Sequence, residues 1–404
     1  MAFSSFSARK HWAAYVLVVA VFGCGSHAPT STPRSPAPVA APVATLVAAP
    51  VRAKLRVGTS ADYAPFSSRD ASGKLIGFDV DVAQALAEDL NLELEWVSFR
   101  WPTLSTQIKN DEFDIAMGGV TWQPMRAVAG YLTRAVARGG PCLLGDAQAP
   151  RVAVNRGGVL EAWAHANLAN RELLIVDANQ TLPDLLASGR AGAIVTDSFE
   201  RKAFERPGWG VRCEPALARK VYWLAPHHAE LATRIDGWLR ANRARIESAQ
   251  QRWFGERQPL DAESNLADLL ARRMAFMPLV AGAKAKLGMP IEDLPREKVV
   301  LDSAAASARQ VGLAEAATRD FFALQIELSK AVQRRSSEAS DLDLARDIRP
   351  ALNELGDRIL SAVVEARSAG QLARSSLSDL EALSPWLTNE EREQLRDTLQ
   401  ALAR

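Results

Sequence analysis

Residues 288–296, Gly288-Met-Pro-Ile-Glu-Asp293-Leu-Pro-Arg296, stop one helix and start another. Asp293 is the expected N-cap of the second helix, with Pro295 in its first turn. Arg296 then lies where the helix dipole disfavours a cation, so local structure explains it poorly. Upstream, the spacing of Arg273 and Lys284 at about 100° per residue returns almost to the starting direction, which predicts one stripe on one long helix. Downstream, Ser329 and Gln333 are one turn apart on a later helix, and Arg349 follows. These helices are apolar on the face they should bury, so the cations are expected to face a bound anion. The competing reading is solvated Arg and Lys on amphipathic helices, the usual fate of any single one.

The ordered set resembles the all-helical class of chorismate mutases. That class carries Arg and Lys at this separation, a loop with Ile-Glu-Asp-x-x-Arg and a later Ser-x-x-x-Gln; Arg349 falls where the secreted, single-chain form has its remaining carboxylate-binding Arg. The resemblance covers roughly residues 262–365. It implies rearrangement of the dianion chorismate to prephenate by a concerted [3,3] shift, without nucleophile, metal or cofactor. Arg273, Arg296 and Arg349 would clamp the two carboxylates. Lys284 and the Gln333 amide would donate to the ether oxygen, where negative charge grows as the C–O bond breaks. Ser329 and Asp293 would meet the ring hydroxyl, Asp293 while capping its helix.

Residues 53–255 alternate short β-rich runs with helical stretches, the order of an α/β architecture. Leu55-Arg-Val-Gly, Leu92 to Val97, Phe113-Asp-Ile-Ala-Met, Val152-Ala-Val-Asn155, Ala193-Ile-Val-Thr196 and Val221-Tyr-Trp-Leu224 are expected strands. Asp79 to Leu90 and a closing helix through Ile235 and Leu239 are expected helices. With Gly77-Phe-Asp-Val-Asp81, this order resembles the periplasmic binding proteins for polar amino acids, which implies two lobes closing over a cleft. Arg126 matches that family's carboxylate-binding Arg, and Asp197 its ammonium-binding Asp.

A narrower resemblance is to the exported cyclohexadienyl dehydratases, which share that fold and turn prephenate into phenylpyruvate and arogenate into phenylalanine. It rests on Asp62-Tyr-Ala-Pro-Phe66, Trp101-Pro102, Asp114-Ile-Ala-Met-Gly-Gly119, Val154-Asn-Arg-Gly-Gly158 and Thr196-Asp-Ser-Phe-Glu200. Glu200 corresponds to the general acid, protonating the departing hydroxyl from a water-poor cleft; a surface carboxylate paired with Arg201 or Lys202 is the rival reading. Arg126 and amides near Gly119 and Thr121 would grip carboxylates. Trp101 and Tyr63 would supply walls, and Asp62 and Asn155 complete the expected substrate-binding set. The sequence departs from the dehydratases at Val159 and Leu160, where two polar residues are expected, and at Gly118, where Ser is common. Asn155 and Glu161 are candidates to compensate.

The expected architecture is therefore a two-lobed α/β periplasmic binding protein fold (type II), residues 53–255, followed by an all-α chorismate mutase domain, 256–404. The resulting expectation is a bifunctional enzyme of aromatic amino acid biosynthesis; the alternative is an active mutase fused to a non-catalytic amino-acid-binding or sensory module. The chain is long enough for two domains with their own cores. Arg9 and Lys10 precede the apolar run Trp12 to Phe22, as in a signal peptide over 1–24, and Val21-Phe-Gly-Cys24 resembles a lipoprotein cleavage box. Lipidation of Cys24, tethering the chain to a membrane in the periplasm, competes with plain cleavage nearby. Residues 25–52, rich in Pro, Ala, Ser and Thr, are expected to form an extended tether.

Cys142 and Cys213 are the other two cysteines, and in an exported protein they are expected to pair; free buried thiols are the alternative. With 48 basic and 47 acidic residues interspersed, no nucleic-acid surface is expected. No zinc-type Cys/His spacing and no phosphate loop is present, so no metal or cofactor is expected. Monomer and homodimer stay open. Residues 366–404, with Leu372, Leu377, Leu380, Leu383, Leu387, Leu395 and Leu399, are expected to continue as amphipathic helix over the mutase core.

Overall fold

The computed structural model describes residues 53–403 except 216, 259 and 376–379; the N-terminal segment with Cys24, and Leu377, lie outside the described residues. The first lobe is built on a five-stranded sheet in the order Glu93–Ser98, Lys54–Thr59, Ile115–Ala116, Trp223–Leu224, Tyr131–Leu132. The first three strands run parallel, and Trp223–Leu224 is antiparallel to both of its neighbours. The second lobe repeats that plan with Glu172–Val176, Arg151–Asn155, Ala193–Asp197, Pro141–Gly145 and Val211–Cys213. The apolar runs in both sheets are buried on two faces by flanking helices, which is why they lack strict alternation. Cys142 and Cys213, paired across two neighbouring strands, are joined by a disulfide.

Two strands cross between the lobes, Ala137–Gly139 and Ala218–Lys220, paired antiparallel. The polypeptide therefore passes from lobe to lobe beside the cleft floor, and any opening of the cleft must bend it there.

The helices after residue 261 do not form a separate body with a core of its own. One apolar cluster runs from Trp122, Leu132 and Val221 of the first lobe into Leu266, Leu270, Met274 and Phe276. The physical reason is the helix Ala262–Ala275, which buries apolar residues and, against the lobe, the charged pair Asp268 and Arg272. Asp268, 2% exposed, sits between Arg219 (Nε 2.9 Å) and Arg138 (Nη2 3.3 Å), one from each crossing strand. Burial alone would push the Asp268 carboxyl up; Arg219, Arg138 and Arg272 outweigh it and hold it below the usual carboxylate range. Arg272 stacks over Trp122 and donates to Thr133 O (3.0 Å), and Arg358 bridges to Asp236 (2.9 Å).

Two helical expectations need correction. Arg273 and Lys284 lie not on one helix but on two, Ala262–Ala275 and Met277–Lys286, broken at Phe276 because Pro278 offers no N–H to the preceding turn. The C-terminal segment is likewise not one amphipathic helix: short turns at Leu372–Arg374 and Glu381–Leu383 precede a helix Asn389–Ala401, opened by a Thr388/Glu391 capping box. Leu372, Leu380, Leu383, Leu387, Leu395 and Leu399 are buried all the same.

Candidate active sites

The helical region encloses a cavity of about 480 Å³. Its wall includes Arg273, Lys284, Asp293 and Arg296, and, from the other side, Ser329, Gln333 and Arg349. The sequence separated these seven residues over five helical segments; the fold brings all of them to one space. Asp293 caps the helix Leu294–Gln310, accepting from the Arg296 N–H at 3.2 Å, and its other oxygen lies 3.4 Å from Arg349 Nη2. Arg296 reaches Asn353 Oδ1 at 2.7 Å.

Several groups in this wall are buried with no partner among the described residues: Arg273 Nε, Ser329 Oγ and Gln333 Oε1. Buried polar atoms are rarely left unpaired, so three around one cavity mark a surface built to meet a polar ligand. Burial, and then the neighbouring Arg296, bring the Arg273 guanidinium down to about 10, the sign of a cation held close to another cation without its counterion. Burial likewise lowers Lys284, whose ammonium donates to Ile291 O and keeps two further protons for a ligand. The Gln333 amide donor differs from expectation: Nε2 is turned onto Ser329 O (3.2 Å) and Met277 Sδ (3.6 Å), so it must rotate to donate to a ligand.

Between the two lobes lies the second site, lined by Asp62, Tyr63, Trp101, Gly119, Thr121, Arg126, Asn155, Asp197 and Glu200. Only about 60 Å³ of free space remains in it. Ligand pockets span roughly 300–1,000 Å³, so the lobes here are closed. Gln180 Nε2 donates across the mouth to Asp62 O at 3.2 Å. Glu200 is 3% exposed, with Asn179 Nδ2 2.6 Å from one oxygen and Thr196 Oγ1 3.0 Å from the other. Burial first, then the charge of Asp197, push its carboxyl up to about 8. It therefore carries a proton at neutral pH, and the surface reading with Arg201 or Lys202 does not apply.

Arg126 is buried, donates to Thr121 O at 2.5 Å, lies over the Trp223 ring at 5.7 Å and has no carboxylate partner among the described residues. Burial lowers it to about 10. Tyr63 and Trp101 meet edge to face, 5.9 Å between centroids.

A family model for bacterial extracellular solute-binding proteins, family 3, matches residues 55–256, half of the chain. The chain belongs to that family. Residues 261–334 match a second model, chorismate mutase type II. Cyclohexadienyl dehydratase of Pseudomonas aeruginosa is 34% identical over 210 residues, covering 46% of this chain and 76% of that protein. The L-arginine-binding protein of the same species is 29% identical over 157 residues, covering 36% and 61%. A solved ancestral amino-acid-binding protein, described as a precursor of cyclohexadienyl dehydratase, has a TM-score of 0.47 at 28% identity, covering 50% of this chain and 95% of that one.

Within the solute-binding cleft several sequence expectations need correction. Asp197 is not a free acceptor: its Oδ2 holds Lys220 Nζ at 2.9 Å and its Oδ1 accepts from the Phe199 N–H at 3.0 Å. The Gly119 N–H does not await a carboxylate, because it donates to Asp79 Oδ2 at 2.7 Å. Gly119 is needed instead for close approach: at φ 77° a Cβ would come within 2.4 Å of the Tyr63 ring. Asn155 Nδ2 is committed to Val176 O and Asp177 O, and one Glu161 oxygen accepts from the Gly157 N–H, while Val159 and Leu160 present apolar side chains to the cleft. Sequence reasoning missed Lys220 and Asn179. Lys220 stood in the otherwise apolar run to Leu224, and a buried-strand lysine was the available signal.

Proposed function

We propose that this chain catalyses two consecutive steps: rearrangement of chorismate to prephenate in the helical cavity, then loss of water and carbon dioxide from prephenate, or arogenate, in the solute-binding cleft. In the first step no bond is made to the protein. Arg273, Arg296 and Arg349 hold two carboxylates so that the reacting ends meet, and Lys284 and Gln333 face the ether oxygen as it gains charge. Ser329 and Asp293 receive the ring hydroxyl.

In the second step Glu200 gives its proton to the departing ring hydroxyl, which leaves as water. The C–C bond to the ring carboxylate breaks, carbon dioxide leaves, and that electron pair closes the aromatic ring as the C–O bond breaks. Glu200 is left as carboxylate and is reprotonated from solvent. Arg126 holds a substrate carboxylate, while Tyr63 and Trp101 pack the ring. The observation that carries this reading is the Glu200 carboxyl buried in the cleft wall, 3% exposed and bonded only to the neutral Asn179 and Thr196, a setting that favours its protonated form. A module that only binds ligands needs no such acid. Val159 and Leu160 in the lining favour the binding-module reading, and turnover separates the two.

The family places the chain among extracellular or periplasmic proteins, and no helix of the described residues is long and apolar enough to cross a membrane. We extend this to a lipid anchor at Cys24. Purified protein supplied with chorismate alone, with chorismate loss and phenylpyruvate appearance followed together, should show both. Prephenate accumulating without phenylpyruvate would leave the mutase and remove the prephenate dehydratase.

A further inference from the structure

Prephenate and arogenate share the ring and both leaving groups. They differ at the side chain, a keto group in one and an ammonium in the other. The cleft distinguishes these by charge. Its buried cations are Arg126 and Lys220, and its buried carboxyls are Asp197 and Glu200. Glu200 is already engaged by Asn179 and Thr196. Asp197 is engaged by Lys220, which is 2% exposed and spends all three N–H donors inside the cleft: on Asp197 Oδ2 (2.9 Å), Tyr63 Oη (2.8 Å) and Thr121 Oγ1 (3.1 Å). Its ammonium also sits 5.0 Å from the centre of the Tyr63 ring.

Lys220 thus occupies, as part of the chain, the place where a ligand ammonium would meet Asp197. An arriving ammonium would lie beside another ammonium in a closed, poorly hydrated cleft, where like charges repel strongly. A keto oxygen or a carboxylate, carrying negative charge or partial charge, would instead be attracted by the same ammonium without needing one of its N–H groups. Resting on the dehydratase reading of this cleft, we propose that Lys220, held by Asp197, is a specificity-determining residue that selects the keto-acid dianion prephenate over the zwitterionic side chain of arogenate. Asp62, at the mouth, is exposed and too hydrated to reverse that preference.

The test measures kcat/KM of the full chain for both substrates, before and after Lys220→Met, with mutase activity of the same preparation reporting that the variant is folded. The expected result is a preference for prephenate of at least about tenfold, which Lys220→Met collapses by lowering prephenate kcat/KM and raising that for arogenate, since the repelling ammonium is gone and Asp197 is freed. Arogenate used as well as prephenate by the unaltered chain would overturn the proposal, as would an equal fall for both substrates in the variant. If the variant loses mutase activity, calorimetric Kd values for the two substrates on Glu200→Gln, which leaves Lys220 in place, decide instead: equal affinities overturn the proposal, tighter prephenate supports it. No turnover of either substrate by the unaltered chain would remove the dehydratase reading, and this inference with it.

Discussion

Glu200→Gln tests the chemistry and the electrostatics of the cleft together. With its carboxyl titrating near 8 rather than 4.5, Glu200 is about nine-tenths protonated at pH 7, where an ordinary glutamate would be well under about 1% protonated. Dehydratase kcat/KM should therefore be level through neutrality, halve near pH 8 and fall about tenfold per unit above it. Replacing the acid by an amide should cost about 10²–10⁴ in kcat with little change in KM. Stability should move the other way. Between pH 4.5 and about 8 the unfolded chain has an ionised Glu200 while the folded chain keeps the proton, so unfolding releases a proton and stability falls as pH rises, by at most about 1.4 kcal/mol per unit. The stabilising contribution of the raised value is present below about 4.5 and lost through about 8. Gln does not titrate, so the variant should gain on the unaltered protein across that window, with a ceiling of about 5 kcal/mol near pH 8. Urea unfolding of both proteins near pH 5 and pH 8, beside a pH profile of phenylpyruvate formation, measures both effects. Retained turnover in the variant, or an equal stability difference at the two pH values, would refute the reasoning.

In the mutase cavity an amide stands where a carboxyl would have to be protonated to donate, so mutase activity should be flat from about pH 5 to about pH 8. Gln333→Glu should lose at least about tenfold across that range, and a flat profile in the variant would exclude Gln333 from the ether oxygen. Asp268→Leu leaves the buried Arg219 and the half-buried Arg138 without their shared carboxylate, so thermal unfolding should show a loss of about 3–5 kcal/mol, with both activities lost in one transition. Two separate transitions would contradict the continuous core seen here.

The mutase set was legible because its residues break local rules: Arg296 at a helix N-terminus and cations on an apolar stripe have no local explanation, so a ligand had to supply one. Six sheet strands were legible from apolar runs, and Glu200 from its motif; the strands Tyr131–Leu132, Pro141–Gly145, Glu172–Val176 and Val211–Cys213, and the order of strands within each sheet, were not. What stayed hidden depends on distance in the chain. Lys220 and Asp197 are 23 positions apart and Asn179 and Glu200 are 21 apart, and neither pair leaves a periodic trace. Asp268 was unremarkable on its helix until the two crossing strands brought Arg138 and Arg219 to it. The break at Phe276 was missed because Pro278 preserves the direction of the stripe while removing one hydrogen bond, so a count of turns still placed Arg273 and Lys284 correctly.

Which body moves when the cleft opens follows from the same contacts. Among the described residues, the hydrogen bonds and ion pairs from the helices after 261 run to the first lobe, its closing helix and the crossing strands: Arg134 to Glu365, Arg138 and Arg219 to Asp268, Thr133 to Arg272, and Leu132 and Asp236 to Arg358. None runs to residues 141–215. The mutase region and the first lobe therefore move as one mass, and the second lobe, carrying Asn179, Asp197 and Glu200, is the part free to swing. Opening separates Glu200 from Arg126 and breaks the Gln180 bridge to Asp62. It also exposes Glu200 to water, which returns its carboxyl toward the ordinary range and disarms it as an acid. Closure of the second lobe is therefore expected to raise the proton affinity of Glu200, and proton uptake from weakly buffered solution on adding prephenate to the unaltered protein, absent in Glu200→Gln, would check it.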